Sequence, residues 1–154
     1  GYLDNQSVFI NHYPHVRHSV PLWKIRDLKN QPPEKWNYRE YFMTQNYLFP
    51  CNFVQVMTDH VYVHTIVPIG PGKCVFKCMM LISEPANDEK ARNYWEKNYN
   101  VVKEVFDEDF EIGEAIQFGL TTNVNENFIF GKYECGLHWG QKAIDDALAG
   151  TLRA

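Results

Sequence analysis

Apolar residues in the middle of the chain come in short runs rich in Val, Ile, Phe, Tyr and Thr, over 47–49, 52–58, 61–67 and 73–83. Turn residues separate them: Asp59-His60 in one place, and Pro68-Ile69-Gly70-Pro71-Gly72 in another. Runs of this length between turn signals predict an antiparallel meander. Their alternation is imperfect, which suits a sheet covered on one face and partly on the other. From residue 84 the period becomes helical. Pro85 stands near a helix start, with Asn87 or Asp88 as its cap. Ala91, Tyr94, Trp95, Val102, Val105 and Phe106 then recur at helical spacing. A second helix is predicted over 107–120 and a polar strand or loop over 121–127. The apolar Phe128-Ile129-Phe130-Gly131 comes next, then a last helix over 137–148 with Gly150 at its C-terminal cap.

The first 40 residues carry Pro14, Pro21, Pro32 and Pro33 among polar residues, and are expected to be an irregular loop. A loop that long lines a site or packs on a neighbour. The expectation is therefore one α+β domain over 1–154: a loop region over 1–40, a sheet over 47–83, and helices over 85–148 with a short intervening strand. The long helices would pack across one face of the sheet. The chain opens Gly1-Tyr2-Leu3, and it is read as an incomplete domain, a piece of a longer polypeptide.

Composition narrows the function classes. With 45 % hydrophobic and 22 % charged residues, the chain can build a core. A net charge of -4 without a Lys/Arg block argues against nucleic acid as a partner. No run of 18 apolar residues offers a membrane span. The spacing of Cys51, Cys74, Cys78 and Cys135 matches no zinc or haem signature, so they are expected to be buried free thiols in a reducing, cytoplasmic setting.

Chemistry concentrates in 107–120. At about 100° per residue, Ile112, Gly113, Ile116 and Leu120 all fall within roughly 60° of Asp109. A carboxylate in an apolar stripe is costly unless it is paired, hydrogen-bonded or metal-bound. Two readings stay open on spacing alone: Asp109 caps the first turn of its own helix, or it is a ligand. His64 shares a strand face with Tyr62 and Ile66 and can reach a pocket, either as a structural histidine or in a site. His12, His15 and His18, interrupted by Pro14, are expected in an exposed loop.

The string Glu108-Asp109-Phe110-Glu111-Ile112-Gly113-Glu114-Ala115-Ile116-Gln117-Phe118-Gly119-Leu120 resembles a motif of the catalytic domain of Rieske-type ring-hydroxylating oxygenase large (alpha) subunits, Glu-Asp-x-x-x-x-Glu-x-x-Gln-x-Gly-Leu. Phe130-Gly131-Lys132-Tyr133-Glu134 with Leu137 resembles that family's Phe-Gly-Arg-x-Glu-x-x-Leu, and His64 to Pro71 resembles its strand and turn before the long helices. The resemblance implies a helix-grip (START-like, SRPBCC) sheet with a deep pocket. It implies a mononuclear Fe(II) held by two His and one carboxylate, with Asp109 matching the carboxylate and Gln117 and His64 as candidates to orient the ligands. It implies electrons from a [2Fe-2S] Rieske cluster fed by a reductase or ferredoxin, a homotrimer or alpha3beta3 assembly, and O2-dependent hydroxylation or dioxygenation of an apolar, aromatic substrate. The family's Asp-x-x-His-x-x-x-x-His arrangement does not occur here, nor do the two Cys and two His of a Rieske site. The iron's His ligands and the cluster are accordingly expected outside this chain, which alone would be inactive. Lys132 stands in the place of Arg and keeps the charge without the bidentate fork. The competing expectation is a non-enzymatic helix-grip module that binds an apolar small molecule.

Overall fold

The computed structural model describes residues 6–124, 127 and 129–153. They divide into two compact units, one of residues 1–82 with 130–154 and one of residues 83–129, and each is described by itself.

The first unit is a six-stranded antiparallel meander in sequential order: β1 (Val8–His12), β2 (His15–Pro21), β3 (Phe42–Leu48), β4 (Asn52–Val56), β5 (His60–Gly70) and β6 (Lys73–Ile82). The last three strands match the apolar runs and turn signals of the sequence, with Gly72 at φ 69° closing the β5–β6 turn. The first two strands correct the expectation of an irregular loop over 1–40. Residues 8–21 form a hairpin that turns at Tyr13-Pro14, and Val8 pairs with Ser19, Phe9 with His18 and Ile10 with Arg17. Pro14 sits in the turn, where no ladder N–H is needed, so it does not break a strand. Among the described residues of 1–40, the longest stretch outside the strands is the connection between β2 and β3. It holds two 3-10 helices, Trp23–Asn30 and Pro33–Lys35, and a single turn α1 (Tyr38–Tyr41). This stretch packs back on the sheet. Tyr38 donates to Ser19 Oγ on β2, and both Ser19 and Thr44 are buried beneath it.

The chain returns to the sheet after residue 130 as α3 (Cys135–Leu148), with Gly150 at φ 70° past its end in the expected capping position. α3 lies over β1 and β2. A Cβ on Gly136 would stand 2.9 Å from the Phe9 ring and 3.6 Å from Val16 Cγ1, so the helix approaches the strands through that glycine. At its far end Tyr13 donates to the Asp146 carboxylate, which also takes Lys142 Nζ at 2.7 Å. The bond to Asp146 pushes the Tyr13 phenol up to about 12, while Lys142 and Tyr13 hold Asp146 below the usual carboxylate range. Ultraviolet titration should find one tyrosine ionising near pH 12. Asp146→Asn should return it toward 10, and an unchanged titration would show that the hairpin and α3 are not tied there.

The second unit is dominated by one helix, α2 (Glu89–Leu120), of 32 residues. Asp88 is its N-cap and accepts from Ala91 N at 2.7 Å. The two helices expected over 84–106 and 107–120 are one: residues 106–110 are helical throughout, and the Lys103–Asp107 pair, 2.6 Å at i,i+4, spans the supposed break. No strand forms among the described residues of 121–127; Asn125, Glu126 and Phe128 lie outside them. The fold class is α+β, a six-stranded antiparallel sheet with a long helix.

Candidate functional site

Alternation along each strand divides the sheet into two faces, and the face toward α3 carries the side chains of interest. Across the register, one transverse row runs Phe9, His18, Gln45, Gln55, Tyr62, Met80, and the next runs Asn11, Val16, Tyr47, Phe53, His64, Cys78. Both rows mix polar and aromatic side chains, with His18, Gln45 and Gln55 in the first and Asn11 and His64 in the second, an unusual composition for an inward face that only has to fill a core.

Between this face and α3 lies a cavity of about 660 Å³, within the range of small-molecule sites. β1 and β2 contribute Phe9, Val16 and His18; β3 and β4 contribute Gln45, Tyr47 and Phe53. The opposite wall is the segment leading into α3 and the helix itself, with Phe130, Tyr133, Glu134, Leu137 and Ile144. Local geometry explains the Phe-Gly-x-x-Glu pattern here. The Glu134 carboxylate folds back to accept from Gly131 N, and a Cβ on Gly131 would meet Glu134 Oε2 at 2.8 Å. Phe130 and Tyr133 on either side of this turn line the cavity.

His18 is not in an exposed loop, as its neighbourhood of histidines and Pro14 suggested. It is half-buried on β2, stacked on Phe9 at 4.3 Å and hydrogen-bonded through Nδ1 to Gln45 Oε1 at 3.0 Å. His15 is likewise a strand residue and accepts from Phe49 N at 3.1 Å. Sequence reasoning missed His18 because His counted as polar in the alternation Val16, His18, Val20, which in fact points inward.

His64 has no exposed surface. It is stacked on Phe53 at 4.1 Å and on Phe76 at 5.3 Å, and burial pulls its imidazole down to about 4. It is therefore neutral at pH 7. The expectation of buried thiols is corrected: Cys74 is exposed, and Cys51, Cys78 and Cys135 are half-buried.

Asp109 is the twenty-first residue of α2, far from either end, so it cannot cap the helix; that role belongs to Asp88. Because the helix is continuous, its apolar stripe also runs backward from Asp109 through Phe106, Val105 and Val102. Val105, Ile112 and Ile116 on it are each more than half exposed. Neighbouring Asp107 is engaged by Lys103, whereas no hydrogen bond or ion pair among the described residues takes the Asp109 carboxylate. Gln117 is exposed on the same helix beside the stripe. A mononuclear iron of the two-His, one-carboxylate kind needs three convergent donors. The described residues contain no group of three His, Cys, Asp or Glu placed to hold a metal. The described residues bring no such set of donors together, and their geometry supports no chemical step through iron.

The sequence profile of the ring-hydroxylating alpha subunit (catalytic domain) matches residues 4–150. The chain belongs to that family, whose members are oxygenases that generally use non-haem iron. No curated protein and no solved structure gives a significant match. Among the described residues no helix is long and apolar enough to cross a membrane.

The glycine at the cavity's edge gives a direct test of the packing. Gly136→Ala should displace the Phe9 ring, at an overpacking cost of about 1–3 kcal/mol that helix propensity offsets by about 1 kcal/mol. Urea unfolding should register a net loss, and a more stable variant would mean that α3 stands farther from β1 than 2.9 Å contacts require.

Proposed function

We propose that this chain forms part of the mononuclear-iron catalytic domain of a Rieske oxygenase, which hydroxylates or dioxygenates an apolar, aromatic substrate with O2. Asp109 is the carboxylate ligand, and two His from polypeptide outside this sequence complete the set. Iron held by such a facial triad supplies open positions for O2 and substrate. The cavity beneath α3 receives the substrate's apolar body: Phe9, Phe53 and Phe130 offer ring faces and edges, and Leu137 and Ile144 add aliphatic wall. Residues 1–154 belong to one catalytic domain in this reading, in which Gln117 orients a ligand and His64 is a neutral, stacked support of the sheet. The enzyme is cytoplasmic, works as a trimer of alpha subunits, and takes its electrons from a ferredoxin or reductase.

The observation that carries this reading is Asp109, central in the apolar stripe of a continuous helix and within a string that resembles a motif of the family matched over 4–150. Metal analysis of the intact native polypeptide tests it. A [2Fe-2S] cluster together with one further iron is expected, and an iron-free native protein would sink the proposal.

A second reading has an observation of its own. The cavity is built wholly from residues of the first unit, none of which needs a metal to hold its place. A helix-grip module that binds an apolar molecule without redox chemistry would look the same there. Unchanged ligand affinity after Asp109→Ala in a metal-free native protein would favour it.

A further inference from the structure

The cavity's polar groups are unequal in what they have left to offer. Tyr47 donates its hydroxyl to Pro50 O at 2.7 Å. Gln141 donates Nε2 to Asp145 Oδ1 at 2.9 Å. Glu134 is turned back on Gly131 N. His18 and Gln45 spend one bond on each other, at 3.0 Å, and that bond uses one ring nitrogen and one amide atom. The other ring nitrogen and the other amide atom remain for a ligand. Because the two residues are direct cross-strand partners, they present those atoms side by side on one transverse row. Stacking of the His18 ring on Phe9 at 4.3 Å and 6° holds the imidazole plane fixed. Among the described residues no Lys or Arg lines the cavity, and Glu134 is its nearest charge. An anionic substituent would meet a carboxylate and no cation.

We infer that His18 and Gln45 are a specificity pair that selects an aromatic ligand bearing a neutral hydrogen-bonding substituent over its apolar and its anionic analogues. A hydroxyl satisfies the pair best, since it donates once and accepts twice, and the pair offers one of each whichever tautomer His18 adopts. Discrimination arises because an apolar group in the same place covers both polar atoms and leaves them unpaired against a mostly apolar wall. This inference rests on the substrate-pocket reading above and deepens it.

The test compares three probes of one ring system, 2-naphthol, 2-methylnaphthalene and 2-naphthoate, by calorimetric or NMR titration of the intact native polypeptide at pH 7. The native protein should prefer 2-naphthol to 2-methylnaphthalene by about tenfold, the worth of one well-made hydrogen bond, and should bind 2-naphthoate no better than the apolar probe. Gln45→Leu and His18→Phe, the latter keeping the stack on Phe9, should each reduce the preference to about twofold or less, by weakening 2-naphthol and strengthening 2-methylnaphthalene, whose methyl group then meets an apolar wall. Unaltered circular dichroism of each variant shows that it is folded. A preference for 2-naphthol that survives both substitutions overturns the inference, as does a preference for 2-naphthoate. Native protein that binds all three rings equally overturns the pair's role and leaves the apolar pocket standing. If 2-methylnaphthalene itself fails to bind, the pocket reading falls and takes this inference with it.

Discussion

Asp109→Ala in the intact polypeptide is expected to remove the mononuclear iron while the [2Fe-2S] cluster stays in place, and substrate oxygenation should fall below detection. A facial triad has only three protein donors, so loss of one should cost more than the roughly 10–100-fold that accompanies loss of a partner merely supporting a ligand. Position makes the substitution clean. Asp109 lies deep within α2, where Ala has the higher helix propensity, and Asp88 rather than Asp109 caps the helix. The protein should therefore remain folded, with unaltered circular dichroism. Asp107→Asn is the matched control. It alters a carboxylate two residues away that is exposed and already paired with Lys103, and iron content should not change. Asp109→Glu keeps the charge but moves it by a methylene, and partial retention of iron would distinguish a ligand from a carboxylate that only tunes the local field. Full iron content in Asp109→Ala would end the assignment.

The legible and illegible parts of the fold divide along physical lines. Strands β4 to β6 were legible because β-branched and aromatic runs alternate between explicit turn residues, as at Pro71-Gly72. The hairpin of β1 and β2 was not. Its inward residues include His18, its outward ones include His15 and Arg17, and Pro14 at the turn looked like a break when it was a corner. The acidic run Asp107-Glu108-Asp109 has the composition of a helix start, so sequence pattern alone does not tell one long helix from two. In the structure the Lys103–Asp107 pair bridges it. Of the candidate site, the carboxylate was visible as a lone polar residue in an apolar stripe, and local periodicity suffices to find such a residue. The cavity was not, because its walls come from residues 9–18, 45–53 and 130–144, the first and last more than 110 positions apart, and no local pattern encodes that closure. The close approaches at Gly131, to the Glu134 carboxylate, and at Gly136, to the Phe9 ring, appear only once the fold is formed.

Acid should destabilise the sheet through His64. In the unfolded chain its imidazole titrates near 6.5, while burial in the fold depresses it to about 4. Between those values the unfolded state binds a proton that the folded state does not, so stability falls as pH drops from 6.5 to 4 and this contribution levels off below 4. A depression of that size approaches about 3 kcal/mol, a large share of the roughly 5–15 kcal/mol that holds an ordinary domain together. The cause is solvation rather than a charged neighbour. Phe53 and Phe76 stack on the ring, Tyr62 stands 5.8 Å away on the same strand, and no solvent reaches it. His64→Phe keeps a flat aromatic ring in the stack and removes the titration. The larger ring can cost about 1–3 kcal/mol at every pH, which leaves the slope as the informative quantity. Urea unfolding of native protein and variant at pH 7, 5.5 and 4 separates the two effects. The native protein should lose about 3 kcal/mol more than the variant between pH 7 and pH 4. Equal losses would mean that His64 takes up its proton without leaving the fold, and that its place between Phe53 and Phe76 is open to water.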